Sequence, residues 1–247
     1  MNNTTYRDAL RKALSDGMKE DPNIMLIGEE VGRYGGAYGV TKGLIEEFGA
    51  ERVIDTPISE PSIVGAAVGA AMLGLRPVAE LMYIDFISMT MDQLANQAAK
   101  IRYMFGGQIG VPMILRTQGG TGRSAGAQHS QSLEAYIMHT PGLRLAMPAT
   151  VSDAYHLLQQ SLAQPDPVVF IEHKALYATS GELNDKTPDA PWGKAHIPRH
   201  GGDLVIVTYS RQLHYALSAA ETLAKDGIEA TIIDLRTLNP LDIDTIR

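Results

Sequence analysis

Short, continuous apolar runs alternate along the chain with longer segments in which apolar and polar residues recur at helical spacing. A short apolar run is typical of a strand that is buried on both faces, and a longer periodic segment is typical of a helix. The predicted strands are 24–27, 53–55, 77–82, 111–116 and 168–171. The first predicted helix is capped by Thr4 or Thr5 and runs to about Lys19. The others are 41–48, 62–73, 86–104 and 150–163, and the last of these opens with a capping box at Thr150 and Asp153.

The alternation of strands and helices predicts an α/β fold, a parallel sheet wrapped by helices. Proteins of this class bind their ligands beyond the carboxyl ends of the strands. The loops that follow Ile27, Asp55, Met82 and Arg116 are therefore where we expect functional side chains.

A change of composition divides the chain. Residues 179–202 are rich in proline and glycine and have little periodicity, so we predict a linker there, between a domain at 1–178 and a second unit at 203–247. The second unit is predicted as a strand, a helix that Ser210 caps, and a further strand. Because such a unit leaves a sheet edge and apolar faces uncovered, we expect it to be incomplete or to be completed by other chains.

Composition and charge exclude several classes of protein. The 247 residues include no cysteine, so disulfides, thiolate metal sites and thiol catalysis are excluded. The net charge of −7, without a long basic run, disfavours nucleic-acid binding. No apolar run approaches the roughly 20 residues that span a bilayer. The N-terminal sequence has no signal-peptide or transit-peptide pattern, so we expect a soluble cytoplasmic protein.

The glycine-rich segment 119–126 follows a predicted strand, and its spacing is close to a dinucleotide-binding fingerprint. However, no acidic residue stands about 20 positions further on to bind a ribose, and the Walker lysine is absent. A flexible loop over a site is the better interpretation, since glycine permits unusual backbone angles.

Two titratable residues lie at expected strand ends. Glu60 follows the strand 53–55 and precedes Pro61, which suits the first turn of a helix. Its carboxylate could interact with the helix dipole or take part in catalysis, and composition alone does not decide between these roles. His129 follows the glycine-rich segment among polar neighbours, although lone histidines are more often structural. Its spacing from Glu134 and His139 disfavours a metal site, so no metal ligands are predicted.

Six ordered segments carry a resemblance to a known family. The chain resembles the beta subunit of the thiamine-diphosphate-dependent component of 2-oxoacid dehydrogenase complexes, of the pyruvate or acetoin dehydrogenase type. The resemblance implies that 1–178 is a pyrimidine-binding domain and that 203–247 begins a transketolase C-terminal-like domain. The six segments are 55–60, 65–71, 74–77, 127–132, 141–143 and 172–177.

The resemblance also implies roles for four side chains. Glu60 matches the glutamate that hydrogen-bonds a ring nitrogen of the cofactor's aminopyrimidine, and Met82 and Phe86 match residues that contact this ring. His129 matches a histidine that donates or relays protons while the acyl group passes to lipoamide. The chain departs from the family at Pro61-Ser62, which puts the local backbone in doubt but not Glu60.

A motif that the chain lacks indicates that other subunits complete its cofactor site. The chain has no Gly-Asp-Gly segment, the usual start of the magnesium and diphosphate site in thiamine enzymes. The resemblance implies that an alpha subunit supplies this site in an α2β2 heterotetramer, and that a lipoyl-bearing acyltransferase accepts the acyl group. The loop 162–166 has diverged from a potassium site of some relatives and is not assigned.

Pyruvate and acetoin both remain open as substrates. The alternatives are a non-catalytic interaction module and a nicotinamide-binding oxidoreductase that uses the loop 119–126.

Overall fold

A seven-stranded sheet forms the centre of the computed structural model, which describes residues 2–247. Its first six strands are parallel, and the seventh is antiparallel to its neighbour. The α/β class with a mostly parallel sheet is therefore confirmed. In spatial order the strands are β3 (Val53–Asp55), β2 (Ile24–Gly28), β4 (Arg76–Leu81), β5 (Ile114–Gly119), β7 (Val168–His173), β6 (Arg144–Ala146) and β12 (Thr237–Asn239).

Two smaller sheets accompany the central one. An antiparallel pair joins the N-terminal strand to a strand in the second half of the chain, and a three-stranded sheet belongs to the C-terminal part. The pair consists of β1 (Asn2–Thr5) and β8 (Ser180–Leu183), and the three-stranded sheet has the order β10 (Leu204–Thr208), β11 (Ala230–Asp234) and β9 (His196–Arg199).

Helices cover both faces of the central sheet. One face packs against α1 (Tyr6–Glu20) and α6 (Val151–Leu162) through residues such as Leu14, Leu158 and Phe170. The other packs against α3 (Glu60–Met72) through residues such as Val64 and Leu115. The helices are α1 (Tyr6–Glu20), α2 (Leu44–Phe48), α3 (Glu60–Met72), α4 (Ala99–Met104), α5 (Glu134–Met138), α6 (Val151–Leu162), α7 (Gln212–Ala224) and α8 (Ile243–Ile246). No helix within 2–247 is long and apolar enough to cross a membrane.

Local sequence determines two helix starts as predicted. The side chains of Thr5 and Thr150 accept hydrogen bonds from the backbone amides of Asp8 and Asp153, at 3.1 and 3.0 Å. Each bond satisfies an amide that has no partner inside the first turn of its helix. These caps set the starts of α1 and α6, which pack against each other on the same face of the sheet.

The single helix predicted at 86–104 is wrong. The chain instead forms a tight 3-10 segment at Ile84–Thr90, a wider π-helical segment at Asp92–Ala98 and then α4. The hydroxyl of Thr90 donates to the carbonyl of Ile87 at 2.9 Å, a side-chain bond that competes with the regular helical pattern. This irregular segment begins directly after Tyr83. The φ of Tyr83 is 73°, a value that does not occur in a regular helix or strand.

Two further predictions differ from the structure in detail. Ser210 does not cap α7, because it has a φ of 52°, Arg211 occupies the position before the helix, and no side chain caps that end. The segment 179–202, predicted as a linker, contains β8 and β9, so part of it is paired in sheets. The division of the chain into domains stays a prediction.

Candidate functional site at the carboxyl edge of the sheet

Glu60 lies where β3 meets α3. It is the first residue of the helix, followed by Pro61, whose fixed φ suits that turn. The residue is only 8% exposed, yet its carboxylate forms no salt bridge within the described residues. Its oxygens are not among the buried side-chain atoms that lack a partner, so the carboxylate is accessible to a ligand.

Glu29 is a neighbour of Glu60 that the sequence patterns did not single out. It directly follows β2, the strand next to β3 in the sheet. Burial raises the pKa of Glu29, and the nearby carboxylates of Glu60 and Glu30 raise it further. Nearby like charges and burial both favour the neutral form of a carboxyl group. The only signal in the sequence was the position of Glu29 after a predicted strand.

The loop that carries Glu29 is tied to the end of β3. Asp55 accepts hydrogen bonds from the backbone amides of Gly32 at 2.6 Å and Arg33 at 3.2 Å. These bonds fix the loop against the strand that leads to Glu60. The two carboxylates are therefore positioned by adjacent strand ends.

Met82 and Phe86 lie beyond the end of β4, which ends at Leu81 and not at Met82 as predicted, and both are half-buried. Between them, Tyr83 donates its backbone N–H to the side-chain oxygen of Gln118 at 3.1 Å. This bond stabilises the unusual backbone angle of Tyr83 and turns the chain at the strand end. Met82, Tyr83 and Phe86 therefore all belong to one short turn at the carboxyl end of β4.

His129 packs against two of these rings. Its ring centroid lies 4.5 Å from that of Tyr83, with planes at 70°, and 5.5 Å from that of Phe86, with planes at 89°. Both contacts have the edge-to-face geometry that aromatic pairs favour. The structure therefore brings together His129 and Phe86, which are distant in the sequence.

Two buried charged residues hold the backbone around His129. Lys174, fully buried, donates to the carbonyl of His129. Asp85 accepts from the backbone amides of Ser130 and Gln131, each at 3.1 Å. Burial lowers the pKa of Lys174, an effect that the charge of Asp85 partly offsets. Neither residue was predicted, although Lys174 lies in a segment that carries the family resemblance.

A buried ion-pair cluster underlies this edge of the sheet. Arg116 on β5 donates to both oxygens of Glu172 on β7, at 2.7 and 2.8 Å, and to Glu80 on β4 at 2.8 Å. Gln118 donates to the other oxygen of Glu80 at 3.2 Å, and the hydroxyl of Tyr177 donates to Glu172 at 2.6 Å. We call these five residues the Arg116 cluster. It connects three central strands directly beneath the turn that carries Tyr83.

The structure brings some of the predicted site residues into contact, but not all of them. Phe86 and His129 are in contact, and α3, which begins at Glu60, packs against the segment Ile84–Thr90 in the same apolar cluster. Within residues 2–247 no hydrogen bond or ring contact joins Glu60 to His129. The edge combines a buried carboxylate, half-buried apolar side chains and an imidazole, a set suited to a flat, polar ring.

The glycine-rich segment 119–126 does not have the context of a dinucleotide fingerprint. That fingerprint requires the glycines to open a helix directly, but the loop passes a short turn, Ala127–His129, before α5 begins. Gly120, Gly122 and Gly126 all have positive φ, at 86°, 100° and 85°. Among the described residues there is no group of three or more acidic or histidine side chains that could hold a metal ion.

Family models match nearly the whole chain. Residues 2–179 match the transketolase pyrimidine-binding domain, and residues 193–247 match the transketolase C-terminal domain. A solved structure of a split-gene transketolase, an inactive beta4 tetramer, aligns with 99% of this chain and 75% of its own at a TM-score of 0.81. At 19% identity this likeness establishes the fold alone.

Two curated relatives are much more similar in sequence. The acetoin:2,6-dichlorophenolindophenol oxidoreductase subunit beta of Cupriavidus necator is 48% identical over 96% of this chain and 73% of its own length. The mitochondrial pyruvate dehydrogenase E1 component subunit beta-2 of Oryza sativa is 47% identical over 98% of this chain and 65% of its own length. The chain therefore belongs to the transketolase-like family of beta subunits of the pyruvate and acetoin dehydrogenase type.

Proposed function

We propose that the chain acts as the beta subunit of a thiamine-diphosphate-dependent enzyme that cleaves pyruvate or acetoin and transfers the acyl group to a lipoyl domain. The similarity to beta subunits named for both substrates supports this activity. The chain spans about two thirds to three quarters of the length of these relatives, so the activity of the whole protein is part of the proposal.

The buried and unpaired carboxylate of Glu60 is the observation that carries the proposal. Its burial would strengthen a hydrogen bond to a ring nitrogen, because the bond forms in a low-dielectric environment. The pKa of the neighbouring Glu29 is raised by burial and by the carboxylates of Glu60 and Glu30. A pair of this kind can share a proton with a bound heterocycle.

The residues at the edge fit the aminopyrimidine part of thiamine diphosphate. Glu60 offers the hydrogen bond, while the half-buried Met82 and Phe86 offer apolar surface for the ring. When bound, the cofactor supplies the nucleophilic carbon and the electron sink for cleavage beside a carbonyl. The protein would contribute orientation, exclusion of water and the hydrogen bond of the Glu60 carboxyl group to the ring.

His129 is proposed to donate or relay a proton during acyl transfer to the lipoyl group. An imidazole is suited to this task because its unperturbed pKa is about 6.5. The ring contacts with Tyr83 and Phe86 orient its side chain, and Lys174 and Asp85 hold its backbone. Lys174 is therefore a positioning residue in this proposal.

The remaining parts of the site are proposed to come from an alpha subunit. The chain has no Gly-Asp-Gly segment and a net charge of −7, and neither feature favours binding of a diphosphate. An alpha subunit that holds magnesium and the diphosphate would complete the site in an α2β2 heterotetramer. We propose a cytoplasmic location for this assembly, and domains at 1–178 and 203–247 joined by 179–202.

Reconstitution with an alpha subunit tests the proposal. The pair should oxidise pyruvate or acetoin with an artificial electron acceptor and acylate a lipoyl domain. The variant Glu60→Gln should abolish both activities, while Glu51→Gln, at an exposed glutamate, should leave them unchanged. A pair that folds and assembles but cleaves neither substrate would favour the non-catalytic interaction module.

The role of His129 has its own test in the same preparation. His129→Ala should slow acylation of the lipoyl domain by about 100-fold or more, the usual scale of lost general acid catalysis, and should affect turnover with the artificial acceptor much less. Equal losses in the two assays would argue that His129 has a structural role only.

A further inference from the structure

A pocket of about 510 Å³ opens beside the candidate site, and it contains three cationic side chains from separate segments. Arg7 comes from the start of α1, Lys42 from the loop that follows β2, and Arg123 from the glycine-rich segment. Tyr34 and Tyr38 supply its aromatic surface. We call this feature, defined by these five residues, the basic pocket.

The charge of the basic pocket is unbalanced. No carboxylate lines it, and within residues 2–247 neither Lys42 nor Arg123 has an acidic partner within 4.0 Å. Arg7 approaches only Asp8, at 3.8 Å, and its Nε is buried without a hydrogen-bond partner. Like charges that converge in a concave surface repel one another and focus a positive potential there. In a chain with a net charge of −7, this local excess indicates an anionic ligand.

The walls of the basic pocket are held in place. Tyr38 stacks on the buried Tyr177, with ring centroids 4.6 Å apart and planes at 19°. The loop reaches this position because Gly36 adopts a φ of 75° and lies against Glu80, where a Cβ would stand 2.8 Å from Oε1. Tyr34, in contrast, is 70% exposed, so its ring is free to contact a ligand.

We propose that the basic pocket binds a small ligand with a phosphate or carboxylate group, and that Tyr34 and Tyr38 contact the rest of the ligand. Arginine and lysine in one concave surface suit such groups, because guanidinium donates in a fork and ammonium acts as a point charge. A flat or apolar ligand portion gains further contact area on the tyrosine rings.

The basic pocket is separate from the candidate active site but adjoins it. The ring centroid of Tyr38 lies 6.2 Å from that of Tyr83, which in turn contacts His129. A ligand in the pocket would therefore touch the same row of aromatic rings that orients His129. The anion site does not depend on the proposed catalytic function, since it rests on the charges of Arg7, Lys42 and Arg123.

Titration calorimetry on the full chain and on its complex with an alpha subunit tests the site. The probes are inorganic phosphate, acetate, adenosine monophosphate and adenosine. The first two separate phosphate from carboxylate as the preferred group, and adenosine lacks any anion. Saturable binding of phosphate or acetate, together with no binding of adenosine, is the expected result.

Substitutions of the cationic residues test whether the anion binds in the basic pocket. Lys42→Gln and Arg123→Gln should each weaken binding about tenfold, which corresponds to ~1.4 kcal/mol. Both residues are exposed, so circular dichroism should show an unchanged fold. Lys225→Gln, at another exposed lysine, is the matched control and should change the affinity by less than about twofold. The absence of saturable anion binding, or equal weakening by the control, would overturn the proposal.

Discussion

Two buried arginines, Arg116 and Arg236, lie in different regions of the molecule and differ in how completely their guanidinium groups are hydrogen-bonded. Each is at most 1% exposed. The guanidinium of Arg116 lies under the candidate site, and all three of its nitrogens donate to Glu80 or Glu172. Arg236 lies where the C-terminal part meets the central sheet and donates to Asp153 at 2.7 Å, but its Nη2 has no partner among the described residues.

The carboxylates around the two arginines differ in the same way. We call Arg236, Asp153 and Asp234 the Arg236 cluster. One oxygen of Asp234 is buried without a partner, and burial together with the charge of Asp153 raises the pKa of Asp234 to about 8. In the Arg116 cluster, Gln118 and Tyr177 supply additional hydrogen bonds to the two glutamates. A satisfied cluster specifies one geometry, whereas the Arg236 cluster retains groups that respond to pH.

Removing Arg116 should have the largest effect on stability. Arg116→Met leaves Glu80 and Glu172 buried without a cation, and we expect a loss of about 3–5 kcal/mol in the free energy of unfolding. Urea denaturation measures this loss. The exposed Arg33→Met should change stability by less than about 0.5 kcal/mol. A similar value for both variants would show that the Arg116 cluster does not stabilise the sheet.

Removing Arg236 should cost less. Burial raises the pKa of Asp153, as it raises that of Glu80, but Arg236 has a salt bridge to one carboxylate and Arg116 to two, so Arg236→Met leaves only one such carboxyl group to take up a proton. The remaining loss is chiefly that of hydrogen bonds, about 2 kcal/mol in total. If the two arginine variants lost equal stability in the same urea assay, the contrast between the clusters would fail.

The smallest effect concerns pH. With a folded-state pKa of about 8 against a usual value near 3.8, Asp234 binds more protons in the folded state between these limits. Its contribution to stability is therefore lost as the pH rises from about 4 to about 8. Asp234→Asn should reduce this decline by at least about 1 kcal/mol between pH 5 and pH 8.

Thermal unfolding over this pH range supplies the data, with Asp226→Asn, at an exposed aspartate just beyond the end of α7, as the control. An unchanged slope in Asp234→Asn would mean that Asp234 is ionised in the folded protein throughout the range.

Local sequence predicted much of the fold and only part of the site. The strands at 24–28, 53–55 and 76–81 and the cap at Thr150 follow from short-range patterns of polarity. The same patterns placed Glu60 and the loop after Met82 at strand ends, whereas the roles of Glu60, Met82 and Phe86 came only from the family resemblance. The broken segment after Tyr83 was not predictable in this way, since it depends on a backbone angle that Gln118 stabilises from the next strand.

The residues that sequence reasoning missed act over long distances along the chain. Lys174 contacts His129 across 45 positions, and Arg116 contacts Glu172 across 56. Neither pairing has a local signature, because charged residues in strands are ordinarily exposed. The register of β5 and β7 places Arg116 beside Glu172, and the turns that follow these two strands place Lys174 against His129.

The account depends most on Glu60 as the group that activates the cofactor. Proton exchange at the thiazolium carbon between nitrogen and sulfur, followed by NMR in the reconstituted α2β2 complex with thiamine diphosphate and magnesium, measures this directly. Glu60→Gln should slow the exchange by about 100-fold or more, since the amide cannot supply a proton, while cofactor affinity changes little. Exchange at the normal rate in a Glu60→Gln complex with bound cofactor would contradict the account.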